Sequence, residues 1–444
     1  MFIRAFLAVL IIFISFYIFT FLWLNIENNY SERVVDHHQQ HPTKEMAISE
    51  RAENRGHSGT TAKGHTETSS MPTSSQWGPL KFVDETGSST RFLLYINAIG
   101  RGGPNCQYGY FRTALEYSIA QNRSIVNAVM FFEHNMFTMH EKLEKIRTLE
   151  ETFDVKQLKK IVNIIPVKEF DEKCNRTVET VIASPITEKY MADAYETSAK
   201  LYSSAFGVAL PEHDLLPETE DQLVEQLKAA SSMKCVGIWI LRHTVQAPSP
   251  TTIEKVTKHM VLSPDIQHSA SSIRENVFKG QPYLAVHWRN KPQEIYKSFC
   301  ENFSNAKNPK CEYYTRDLRL MKNATHHVAK SIQNFMKANN LTQVYVATPP
   351  MSTNIMKVLR SLGVAKTFSA ENMTSNGYAK EMGDPYIWSL LEQQICINSD
   401  VFIGHYNSTW SFRVRESRSV NLAKSVSIKE FLANNTSGLF SRRR

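Results

Sequence analysis

Nowhere in the 444 residues do two aspartates stand one residue apart. That excludes the acidic pair with which many lumenal transferases hold a divalent cation. No two cysteines form a Cys-x-x-Cys, so the paired spacing of a structural zinc site is missing too. No Gly-Lys-Ser or Gly-Lys-Thr closes a glycine loop, which removes a Walker P-loop. Charge of one sign is scarcely in excess: the net +8 is weakly clustered, ends in the solvated Ser441–Arg444 tail, and offers no basic face to a nucleic acid.

Charge is wholly absent from Ala5–Leu24. About 20 apolar residues span a bilayer as a helix. Arg4 precedes the run and Glu27 and Glu32 follow it, so the positive-inside tendency leaves a short cytosolic tip and sends the remainder to the lumen or outside. The run is too long for a signal-peptide core and shows no small-residue cleavage site. Residues 1–24 are therefore expected to be a tip and single transmembrane anchor, in a type II arrangement. Residues 25–90, rich in Ser, Thr, Gly and His, have little to bury and read as a disordered stem. His37, His38 and His41 within it read as solvated. No Lys-Asp-Glu-Leu-like tail ends the chain. The anchor-and-stem layout leans to the Golgi, with the endoplasmic reticulum as the other reading.

A lumenal body also fits the cysteines and the glycan acceptors. The six cysteines leave connectivity open, with Cys300–Cys311 favoured because the two are close in sequence. Asn-x-Ser/Thr sequons occur at Asn175, Asn302, Asn323, Asn372 and Asn435, and Asn407 begins another in a polar turn.

From Arg91 onward the pattern becomes strand, loop, helix, strand. "RFLLYINAIG" runs into the glycine loop "GRGGPNCQ", and Tyr108, Phe111, Leu115 and Ile119 then fall on one helical face. The middle reads mostly helical, with an amphipathic helix at "ETEDQLVEQLKAAS" leading to the buried strand "KCVGIWIL". Alternation resumes at "YLAVHWRN" (283–290) and continues through "QVYVATPP", "DPYIWSLLEQQICINS", "DVFIGH" and "NSTWSFRVRESR". This rhythm predicts α/β architecture with parallel sheets covered by helices. Two domains are expected, at 91–275 and 276–440, with a cleft between them.

In open parallel sheets ligands bind beyond the carboxyl ends of the strands. Four features fall there: the loop Gly100–Asn105 with Arg101, Gly103 and Asn105; His287 and Arg289; Glu392 in the helix before "DVFIG"; and Asn407, Ser408, Thr409 and Trp410 at a helix start. The last is a natural phosphate site, because first-turn N–H groups and the helix dipole favour an anion. Arg289 can grip a phosphate through two parallel hydrogen bonds.

These strand-end motifs resemble those of the GDP-fucose protein O-fucosyltransferase family. The likeness runs in patches over Phe92–Val126, Tyr283–Arg289 and Gln343–Arg418. "AVHWR" resembles that family's His-x-Arg motif. "EQQICINSDVFIGHYNSTWSFRVRESR" resembles its closing segment, close to the branch that modifies thrombospondin-type repeats. The resemblance implies a GT-B fold of two Rossmann-like domains facing a cleft. It also implies GDP-fucose as donor, no metal or other cofactor, inversion at the sugar carbon, and a secretory glycoprotein or peptide as acceptor. By the same resemblance Arg289 is catalytic, clamping the diphosphate and stabilising departing GDP, with His287 beside it. Glu392 would hold guanine, Ser408, Thr409 and Trp410 the nucleotide or its phosphates, and Arg101, Gly103 and Asn105 would face donor sugar and acceptor. The sequence departs from the pattern in an extra loop residue, taken as Pro104, and in lacking the loop glutamate that serves that branch as base. The base is thus open. The alternatives are an N-glycan-type fucosyltransferase and a non-catalytic GDP-fucose-binding protein or chaperone on the same fold.

Overall fold

The computed structural model describes residues 90–97, 103–132, 146–185, 189–239, 250–289, 309–348, 354–364, 366–373, 384–405 and 408–435. The expected anchor and stem, Arg101, Asn407 and Cys300 lie outside these residues. Among the described residues no helix is long and apolar enough to cross a membrane.

The N-terminal half begins with β1 (Phe92–Ile96), α1 (Pro104–Ala120), β2 (Ser124–Val126), β3 (Met130–Phe132) and β4 (Ile146–Thr148). It continues through β5 (Ile164–Ile165), α2 (Val167–Cys174), β6 (Thr180–Ala183), α3 (Lys189–Phe206), α4 (Glu220–Ala230) and β7 (Cys235–Trp239). Two helices, α5 (Pro250–His259) and α6 (Pro264–Asn276), lead into the second half. That half comprises β8 (Leu284–His287), α7 (Pro309–Ala338), β9 (Gln343–Ala347), α8 (Asn354–Ser361), β10 (Lys366–Phe368), α9 (Pro385–Ile397), β11 (Val401–Gly404), α10 (Thr409–Ser419), β12 (Ser425–Ser427) and α11 (Ile428–Asn435).

Each half holds a five-stranded parallel sheet, ordered β5-β2-β1-β7-β6 and β10-β9-β8-β11-β12. Strands β1, β7, β8, β9 and β11 are buried along their whole length, as expected of strands covered by helices on both faces. In both sheets the chain winds outward from a central strand, β1 or β8, and later returns on its other side. The crevice beside that central strand is where such sheets bind ligands.

Local chemistry explains the helix starts. Pro104 occupies the first turn of α1, where its missing N–H costs nothing. Thr219 and Gln222 cap each other at α4, and Asp384 accepts the N–H groups of Tyr386 and Ile387 at α9. Two buried arginines close corresponding corners of the halves. Arg123 donates to the carbonyls of Phe92, Ala230, Met233 and Lys234. Arg418 does the same for Cys396, Ile397, Ser399, Asp400 and Lys424. Both meet the end of a helix that precedes a strand, where carbonyls lack intrahelical partners.

The sequence did not announce the antiparallel pair β3–β4 or the short strands β5 and β6; segments this brief show no periodicity. A disulfide joins Cys174 at the end of α2 to Cys235 at the start of β7. Cys311 is also disulfide-bonded, whereas Cys106 and Cys396 are free thiols. The Cys300–Cys311 pairing expected from sequence involves a residue outside those described.

Residues 78–444 form one compact unit. Its halves interlock: Tyr386 and Leu390 of α9 join the core of the N-terminal half, while Trp388, Leu391 and Ile395 of that helix pack in the C-terminal half. Helix α6 is shared the same way, with Ile266 in the first core and Ala270 and Ile273 in the second.

Candidate active site

The crevice of the C-terminal sheet lies between β8 and β11, and His287 is the last residue of β8. Its ring is buried, and its Nδ1 is 2.6 Å from the Oγ of Ser411 in the first turn of α10. The ring also lies 4.3 Å from that of Trp410. Ser411 Oγ accepts the main-chain N–H of His405, so one hydroxyl joins the ends of β8, β11 and α10. Ser408 is the cap residue of α10, its Oγ accepting the N–H of Ser411. Gly404 permits this closeness, since a Cβ there would lie 2.8 Å from Phe402 Cε1 and 3.1 Å from Ser411 Cβ.

Burial drives the His287 pKa well below its ordinary value, and the charges of His405 and Arg289 push the same way. The imidazole is therefore neutral at neutral pH. Arg289 stands two residues further on, half-buried, close enough for its charge to act on that ring. A guanidinium and a capped helix start thus share one strand end.

The N-terminal half contributes the start of α1. Gly103 caps it through its main chain, its carbonyl accepting the N–H groups of Cys106 and Gln107. Asn105 crosses to the other half: its Oδ1 accepts from Nε2 of Gln393, 3.0 Å away. Cys106 Sγ lies 4.0 Å from Thr409 Oγ1. The first turns of α1 and α10, one from each half, therefore adjoin, and both present the positive end of a helix. Further along, Arg112 pairs with Glu416 and with Glu116.

Glu392 lies deeper, with 9% of its surface exposed. It accepts from the Tyr345 hydroxyl at 2.8 Å. Burial raises its pKa to about 8, against a smaller opposing effect of that hydrogen bond. It neighbours Ser389 on α9, whose Oγ accepts from the Trp410 indole N–H at 3.1 Å.

His287, Arg289, Ser408, Thr409, Trp410, Gly103 and Asn105 thus lie around one junction, with Glu392 in the layer beneath. Sequence reasoning missed the side chains that hold them: Ser411, Ser389, Gln393 and Tyr345. Of these only Ser411 carried a local signal, its spacing of three from Ser408 being that of a helix cap.

Comparison with known proteins adds three findings. A family model described as GDP-fucose protein O-fucosyltransferase matches residues 92–421. GDP-fucose protein O-fucosyltransferase 2 of Caenorhabditis elegans is 26% identical over 143 residues, 32% of this chain and 27% of that relative. The match thus spans about a quarter of that relative's length. Among solved structures, POFUT1 in complex with GDP gives a TM-score of 0.50 at 15% identity, covering 76% of this chain and 98% of that one. POFUT1 in complex with GDP-fucose gives 0.49 at 15% identity, covering 77% and 99%. At such identity the first likeness bears on the fold alone.

Proposed function

The chain belongs to the GDP-fucose protein O-fucosyltransferase family, and on that footing we propose that it transfers fucose from GDP-fucose to a hydroxyl of a secretory protein, a Ser or Thr side chain, with inversion. The observation that carries this reading is the 2.6 Å contact between His287 and Ser411. It ties the strand bearing Arg289 to the helix start at Ser408, so both face a single anion.

The chemistry follows from that pairing. The acceptor oxygen attacks the anomeric carbon, the bond from that carbon to the β-phosphate oxygen breaks, and GDP departs with the electron pair. Negative charge grows on the β-phosphate, where a fixed guanidinium and helix N–H groups help most. Ser411 Oγ already accepts one N–H, from His405. Its own proton is available to His287 Nδ1, leaving Nε2–H as a donor to phosphate. A neutral ring serves here as a hydrogen-bond donor without adding a second buried charge beside Arg289. Asn105 and Gly103 are assigned to the sugar and acceptor, a role that the family likeness extends to Arg101, and Glu392 accepts from guanine. The loop before α1 holds no carboxylate to take the acceptor's proton, so that proton passes to the departing β-phosphate oxygen as charge builds there, and the rate rests chiefly on the leaving-group side. No metal is assigned a part.

A lumenal setting completes the reading: a type II anchor at Ala5–Leu24 in a Golgi or endoplasmic reticulum membrane, with residues 91–440 catalytic. The Cys174–Cys235 disulfide and the exposed sequon Asn175 support it.

The test is GDP release from GDP-fucose by the full chain, with and without a pool of secreted-protein acceptors. Arg289→Ala should lower turnover by about 10²–10³-fold, the usual consequence of removing one transition-state donor. Unchanged turnover in that variant, or no GDP-fucose binding by the unaltered protein, overturns the reading.

A further inference from the structure

Gln393 is 1% exposed, yet only one end of its side chain is paired. One end of its carboxamide donates to Asn105 Oδ1 at 3.0 Å. The other, Oε1, is buried and meets no hydrogen-bond partner among the described residues. A buried carboxamide left half-paired is worse for stability than an apolar side chain of similar shape. Leucine or methionine would suit a helix that elsewhere contributes Leu390, Leu391 and Ile395 to the cores. What the glutamine does supply is a directed N–H across the junction between the halves.

The direction matters for Asn105. A carboxamide has an accepting end and a donating end. With Oδ1 held by Gln393, the N–H₂ end is the one left for another group, and it makes no hydrogen bond among the described residues. Asn105 stands in the first turn of α1, next to Cys106, whose thiol adjoins Thr409 of α10. The free donor therefore lies beside the two helix starts. Helix α9 treats Trp410 similarly, through Ser389 one turn earlier.

We propose that Gln393 is a positioning residue that fixes Asn105 with its N–H₂ group toward the fucosyl end of the bound sugar nucleotide. This rests on the functional reading above and adds to it a residue that does not touch the ligand. Because Gln393 belongs to one half and Asn105 to the other, their hydrogen bond also sets the spacing of the halves where the sugar would sit.

The test compares affinities for GDP and GDP-fucose by calorimetry, using the full chain and the variants Asn105→Ala, Gln393→Leu, Gln393→Glu and Asn105→Ala/Gln393→Leu. Glutamate can only accept when ionised, so it turns the Asn105 amide round and leaves Oδ1 outward. Asn105→Ala, Gln393→Leu and Gln393→Glu should each weaken GDP-fucose binding by about 10-fold, the loss expected for one hydrogen bond. GDP affinity should stay within about twofold of the unaltered protein. The double variant should bind like Asn105→Ala alone, since Gln393 then has nothing to orient. Additive losses in the double variant, equal losses for GDP and GDP-fucose, or no effect of either Gln393 change overturn the proposal. Should Gln393→Leu fail to fold, Gln393→Glu and the half-exposed Asn105→Ala decide it alone. Failure of the unaltered protein to bind either nucleotide overturns the functional reading itself, and this inference with it.

Discussion

The imidazole of His287 and the hydroxyl of Ser411 lie 2.6 Å apart, although 124 residues separate them in the chain. That contact closes the end of β8 onto the start of α10. Ser411→Ala removes the hydrogen bonds of this hydroxyl to His287 Nδ1 and to the His405 N–H, which should cost about 1–3 kcal/mol in stability. Threonine keeps the hydroxyl and should recover most of it. Urea denaturation of the two variants, read beside GDP affinity, checks this: alanine should lower both by clearly more than threonine does.

Gly404 supports the same contact from behind. A methyl group at this position must push on Phe402 and Ser411. Gly404→Ala should destabilise by about 1–3 kcal/mol, as overpacking commonly does, and should weaken GDP binding although residue 404 is assigned no contact with the ligand. Thermal unfolding with and without GDP measures both effects. An alanine variant as stable as the parent and binding GDP equally well contradicts the packing described.

Glu392 makes the pH behaviour unusual. Its folded pKa, raised to about 8, lies above its ordinary value of 4.5. The stability it contributes is fully present below about pH 4.5 and is lost as pH rises through about 8. Glu392→Gln should flatten this loss between those limits. If the carboxylate receives guanine, it must first give up its proton. GDP binding then tightens as pH rises toward 8 and releases protons, which calorimetry in buffers of different ionisation enthalpy detects. His287 acts at the other end of the scale. Its pKa is depressed, so its contribution is present above about pH 6.5 and lost as pH falls below it.

Cys106 gives a direct view of the junction. It is a half-exposed free thiol beside Thr409, whereas the other described free thiol, Cys396, is buried with a raised pKa. A thiol reagent should therefore label Cys106 in the folded protein and leave Cys396 untouched. Saturating GDP should slow the labelling of Cys106 at least several-fold. Peptide mapping after a timed reaction gives the answer, and equal rates with and without GDP would remove the nucleotide from this junction.

The central strands of both sheets could be read from the chain because each is a buried apolar run of four or five residues. The starts of α9 and α10 were marked by Asp384 and Ser408. The strand-end residues stood out because His287 and Arg289 are polar where such a run stops. Gln393 gave no such sign. A glutamine in an amphipathic helix is unremarked by any periodicity, and its partner stands 288 residues earlier. The Cys174–Cys235 bond was hidden for the same reason, since only the sheet brings α2 and β7 together. Apart from the shortest strands, what was missed is what depends on distant segments meeting.

The interlocked cores bear on how a substrate is admitted. Tyr386 also bonds through its hydroxyl to Thr152 of the opposite half at 2.8 Å. Swinging the halves apart would strip Tyr386 and Leu390 from apolar surroundings, at about 1.5–3 kcal/mol for a large side chain, besides that hydrogen bond. Walls fused in this way behave as a mould of set width, not as jaws. Whatever enters between them meets a gap whose width the fold has already set.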